Sequence, residues 1–141
     1  MSDFYKYFKE NMDALNLPAP EALFGSLTAA VSTASTILGT IEKLGPTVTL
    51  GEIIGAATRL EALAAISAVS AAFYAGAVIG SIAVATGRTL SGGTSLSEVL
   101  FTAQKHNLAP EWLSRYLTAY PGIYSARAPG RDSYRHRLAF V

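Results

Sequence analysis

Two long uncharged stretches, residues 22–41 and 62–87, dominate the alternation of polar and apolar positions along this chain. The second consists mostly of Ala, Val, Ile, Gly and Ser. Drawn as one helix, its 26 residues would extend roughly 39 Å at about 1.5 Å per residue, more than the ~30 Å hydrocarbon layer of a bilayer. Ala68, Ala72, Gly76 and Gly80 recur at every fourth position within it, a stripe of minimal side chains that lets another helix backbone approach closely. On the other side of the same helix, Ser67, Ser70, Tyr74 and Ser81 form a hydroxyl face by 100° geometry. The pattern fits two environments: a self-associating or pore-lining membrane helix, or the buried central helix of a bundle.

The run 22–41 is bounded by Glu21 and Glu42 and carries seven hydroxyls. Thr28, Ser32 and Thr36 lie on its small, hydroxylated face with Gly25, Ser35 and Gly39, while Leu23, Leu27, Val31, Ile37, Leu38 and Ile41 supply apolar bulk. In lipid that face would turn towards a partner helix or water; in a soluble fold it would be a partly exposed Ser/Thr face.

The flanking segments read as amphipathic helices. Phe4, Tyr5, Phe8, Met12 and Leu15 are spaced by threes and fours, which predicts a short docked helix over 1–17, stopped by Pro18 and Pro20. No apolar region precedes those prolines, so a secretory signal is not expected. Gly45-Pro46 marks a turn, and Thr49 with Glu52 forms a capping box for a helix from about Leu50 that could run on through Arg59 into the long one. After the Gly92-Gly93 loop, Ser95 or Ser97 is placed to cap a helix with Leu96, Val99, Leu100 and Ala103 inward and Asn107 at its end. Pro110 opens a further helix with Trp112, Leu113, Tyr116 and Leu117 as its apolar face. Residues 121–141 form an irregular tail rich in Arg and Tyr. The expected fold is all-α: one domain, 1–141, built as a small helical bundle around the Ala/Gly-rich helix 62–87 and the second apolar helix 22–41, with amphipathic helices over 95–120.

Composition sharpens the question of environment. The chain is 50% hydrophobic and 15% charged, with mean hydropathy +0.31; soluble domains carry roughly 25% charged residues. The net charge of +1 gives no general attraction to nucleic acid. It is unevenly spread: four cations against seven acids in residues 1–61 leave −3, and seven against three in residues 88–141 leave +4. Without cysteine there is no disulfide or thiolate site.

Candidate chemistry is sparse. His106 and His136 are isolated, so no metal-ligand spacing exists. No phosphate loop ends in GK[ST], no serine sits in a nucleophile elbow, and Glu98 and Glu111 have no partner at a diagnostic spacing. No catalytic residue and no cofactor is expected, and the chain reads as a non-enzyme. Arg127, Arg131, Arg135 and Arg137 are too few, and too interrupted by Asp132, to suggest a nucleic-acid surface.

The two uncharged small-residue segments with the Ala68, Ala72, Gly76, Gly80 zipper resemble the glycine-zipper class of small pore-forming antibacterial effectors of the type VI secretion system, over roughly residues 22–87. The resemblance implies a toxin that is soluble in the producer cytoplasm, leaves without a signal peptide inside a secretion carrier such as an Hcp ring, and is neutralised by a cognate immunity protein. It implies action at the inner membrane of the recipient cell, where the toxin would insert, self-oligomerise and dissipate the membrane potential. In such a pore Thr28, Ser32, Thr36, Ser67, Ser70, Tyr74 and Ser81 are the candidate lining, with Glu42, Glu61 and Arg88 at the mouths. The alternative is a soluble all-helical interaction or adaptor protein whose Ala-rich helix is its buried core and whose aromatic C-terminal segment binds a partner.

Overall fold

The computed structural model describes residues 3–45, 47–56, 60–87, 95–125, 128, 130, 131 and 134. Among them the regular structure is all helical; the only β feature is an isolated antiparallel bridge between Thr49 and Ser70. The first helix, α1 (Asp3–Ala14), buries Tyr5, Phe8, Asn11 and Met12, the i, i+3, i+4 spacing that puts side chains on one face. It ends ahead of the prolines. Asn16 takes the left-handed conformation (φ 61°), and the Leu17 N–H donates back to the Met12 carbonyl at 2.9 Å, which closes the helix in the Schellman manner. The extended stretch that follows has its carbonyls served from outside: the Tyr5 hydroxyl donates to the Ala19 oxygen and the Tyr74 hydroxyl to the Pro18 oxygen, each at 2.8 Å.

The apolar run 22–41 is not one helix. It splits into α2 (Glu21–Phe24) and α3 (Leu27–Leu44) because Ser26 is extended and its Oγ accepts the Ala29 N–H at 3.1 Å, the N-cap of a new helix,. The Thr33 hydroxyl donates to the Leu23 carbonyl at 2.8 Å and holds the corner. At the other end Gly45 stops α3 with φ 104°, a conformation that disfavours any side chain,; Pro46 lies outside the described residues.

Residues 62–87 are not one helix either. The capping box forms as expected, with the Thr49 N–H donating to Glu52 Oε1 and the Glu52 N–H to Thr49 Oγ1, and it starts α4 (Leu50–Ala56). The proposed continuation through Arg59 lies outside the described residues. From Glu61 to Ile66 the chain is a 3-10 helix, followed by a turn, and only then by α5 (Ala71–Gly87). The break has a cause in residues 48–51, which face it. The N–H groups of Leu50 and Gly51 donate to the carbonyls of Val69 and Ser67, and the Ala71 N–H donates to the Val48 carbonyl. These bonds take the donors and acceptors a continuous helix would have needed. At Gly51 a side chain would press on Ser67, at 3.2 Å from its Cβ.

α5 is the axis of the molecule and packs against α1, α3, α6 and α7. It is apolar on every side, as a helix enclosed by others must be, and residues from Ala71 through Ala83 are all buried. Next come α6 (Leu96–Lys105) and α7 (Leu113–Ala119), then a short 3-10 turn over Pro121–Ile123. Ser95 caps α6 by accepting the Glu98 N–H at 3.2 Å. Asn107, at φ 58°, ends it while the Leu108 N–H reaches the Ala103 carbonyl at 2.7 Å.

Candidate functional site

The zipper residues are distributed over two settings. Ala68 sits exposed in the turn before α5, so the four do not share a helix. Ala72, Gly76 and Gly80 are buried in α5, and the chain fills the stripe itself. A methyl at Gly76 would stand 3.9 Å from Leu113 Cδ1 and Ile123 Cδ1. One at Gly80 would collide with Ile123 Cγ2 and lie 3.4 Å from the Ile123 carbonyl oxygen. Close approach is what small residues permit, and here the approaching group is Ile123.

The hydroxyls of the second stripe are mostly engaged in the interior. Ser70 accepts the Phe73 N–H at 3.3 Å and caps α5. The Tyr74 ring is enclosed and burial pushes its hydroxyl above the ordinary tyrosine value, in keeping with a neutral donor to Pro18. Ser81 belongs to a polar network. Asn11 Nδ2 donates to Ser81 Oγ and to the Ile123 carbonyl, both at 2.8 Å, while Asn11 Oδ1 accepts from Arg131 Nη2 at 2.6 Å. Arg131 Nε also donates to the Gly122 carbonyl at 3.0 Å, and partial burial lowers the guanidinium from its usual value against the opposing effect of Tyr134. Ser67 is exposed in the turn, and Thr28, Ser32 and Thr36 are exposed on the outer face of α3.

These placements, with the split of both apolar runs, overturn the reading of the chain as a pore-forming toxin acting at a recipient's inner membrane. Among the described residues no helix is long and apolar enough to cross a membrane. The 17 residues of α5 extend about 25 Å, and the helix lies beneath its neighbours. Among the same residues no group of three or more His, Asp or Glu is arranged to hold a metal ion.

What the fold does assemble is a groove of about 820 Å³ between the C-terminal half of α3 and the loop joining α6 to α7. One wall is a stripe of α3: Ser35, Leu38, Gly39 and Glu42, spaced i, i+3, i+4 and i+7, with Ile41 and Gly45 beside them,. The other is Gln104, Asn107, Ala109, Pro110, Glu111 and Trp112. Trp112 is half-buried and meets Tyr116 edge to face at 5.5 Å,. The αL turn at Asn107 swings the chain from α6 across to this wall. Sequence spacing could not place Glu42 and Glu111 in one groove, because nothing local relates them; Asn107, Pro110 and Trp112 were visible beforehand only as a helix end, a helix start and part of an apolar face. No protein-family model, no curated protein and no solved structure matches this chain, and the resemblance to glycine-zipper effectors therefore has no support from relatives either.

Proposed function

We propose that this chain is an all-helical interaction protein, with the Ala/Gly-rich helix α5 as its core, and that it engages a partner in the groove between α3 and the α6–α7 loop. The reading assigns it a binding role and no catalysis. The observation that carries it is the groove itself: a concave surface of about 820 Å³ with a half-buried tryptophan on one wall and leucine and isoleucine on the other. Concave sites that combine apolar surface with placed polar groups are a usual form of binding site, and aromatic residues anchor interfaces more often than others. The internal use of Ser70, Tyr74 and Ser81 supports the same reading, since these hydroxyls hold the core together.

The test is selection of displayed peptides against the immobilised protein, followed by binding to a Gly39→Tyr variant. Nothing lies within 4 Å of a methyl at Gly39, so the ring enters the groove without disturbing the core. Selected peptides are expected to bind the variant at least about tenfold more weakly, as for a blocked hot spot. Peptides indifferent to the variant would place the interaction elsewhere.

A further inference from the structure

Among the described residues, the lining of the groove carries charge of one sign. Glu42 and Glu111 are the charged residues that line it, both are exposed, and neither has an ion-pair or hydrogen-bond partner among the described residues. The rest of its polar lining is neutral, including the amides of Gln104 and Asn107. Trp112 adds an aromatic face of the kind that attracts cations within about 6 Å of the ring centre.

A second observation concerns size. The two large hydrophobic side chains that stand exposed on the described surface, Phe101 at 68% and Leu44 at 45%, both adjoin the groove in sequence. Leu44 immediately precedes the lining residue Gly45, and Phe101 lies one turn before the lining residue Gln104 on the same side of α6,. Exposed apolar side chains beside lining residues extend the apolar surface open to an occupant longer than the groove itself.

Resting on the groove being the docking site, we propose that its occupant is a peptide segment of another protein bearing Lys or Arg between apolar residues. The cationic head sits between Glu42 and Glu111. Its methylene stem lies along Trp112 and Leu38, as long basic side chains do on apolar surface, and the flanking apolar residues cover Phe101 and Leu44. Charge complementarity supplies selectivity and the apolar contacts supply most of the affinity.

The experiment uses three short fluorescent peptides with the same Leu/Phe frame and Arg, Gln or Glu at the intervening positions. Each is titrated into the native protein and into the Glu42→Gln, Glu111→Gln double variant. Trp112 is the only tryptophan of the chain, so its emission reports on the groove directly, alongside peptide anisotropy. Both glutamates are exposed and have no partner among the described residues, so the double variant is expected to keep its helical circular dichroism. The Arg peptide is expected to bind about tenfold more tightly than the Gln peptide, and to lose that advantage in the double variant and on raising salt from about 0.05 to about 0.5 M. Equal binding of the Arg and Gln peptides, or preference for the Glu peptide, would overturn the charge selectivity and leave the groove as a docking site. Absence of any Trp112 or anisotropy response to all three at millimolar concentration would remove the docking site as well.

Discussion

α3 and α5 are written in the same vocabulary of small and hydroxylated residues, yet the fold leaves one face of α3 open to solvent and encloses α5. On α3 the hydroxyls of Thr36 and Thr40 bond back to the carbonyls one turn earlier, Ser32 and Thr36, a weak local use. On α5 and at its start, Ser70, Tyr74 and Ser81 each join a distant part of the chain or a helix end. A small or hydroxylated residue therefore has no fixed meaning. Its energetic weight depends on whether water is available as the alternative partner.

This contrast predicts a graded series of substitutions, each read as unfolding free energy by denaturant titration. Asn11→Ala should be the most damaging, at about 3 kcal/mol, because it takes away the partner of Ser81, of the Ile123 carbonyl and of Arg131 Nη2 in one step,. A loss under about 0.5 kcal/mol would mean that water replaces the network. Gly80→Ala comes next, at about 2 kcal/mol destabilising, since the added methyl forces Ile123 out of its seat and overpacking outweighs the gain in helix propensity,.

Tyr74→Phe should cost about 1–2 kcal/mol through the unsatisfied Pro18 carbonyl,. It should also change the alkaline limb of stability. A tyrosine whose folded value lies above its unfolded one contributes stability that is complete below the unfolded value, near about 10, and is lost as pH rises past it. Burial raises Tyr74 in this way, so the native protein should weaken above about pH 10 and the phenylalanine variant should weaken less steeply. Parallel pH profiles would show that the ring is not enclosed.

Gly76→Ala should go the other way and stabilise by about 0.5–1 kcal/mol, because its methyl finds ordinary contact at 3.9 Å while the helix loses a flexible residue,. Opposite signs at Gly76 and Gly80 would show that the stripe is a seat for one side chain and not a uniform zipper. The smallest effect is expected on α3, where Ser32→Ala should change stability by less than about 0.5 kcal/mol.

Much of the local structure was legible beforehand. The Thr49 and Glu52 box, the Ser95 cap and the Asn107 terminus are where their residue types put them, since a cap needs only its own side chain and the next turn. The stop at Asn16 ahead of the prolines, and the new start at Ser26, were equally local but were masked by stronger signals beside them. The break at residues 67–70 could not be read locally, because the groups that cause it belong to residues 48–51. The groove was invisible for the same reason: Glu42 and Glu111 stand 69 positions apart in the sequence, and no local period relates them.

By itself, then, the amino-acid pattern determined that the chain would be all helical, where several helices start and stop, and that its least polar segment would be shielded from water. Those properties follow from propensity, capping and hydrophobicity, which act over a few residues or regardless of partner. Tertiary structure alone decided what did the shielding. The same Ala/Gly stripe can receive a lipid-embedded helix or Ile123 of its own chain, and that choice rests on contacts between residues far apart in sequence, which no local period encodes.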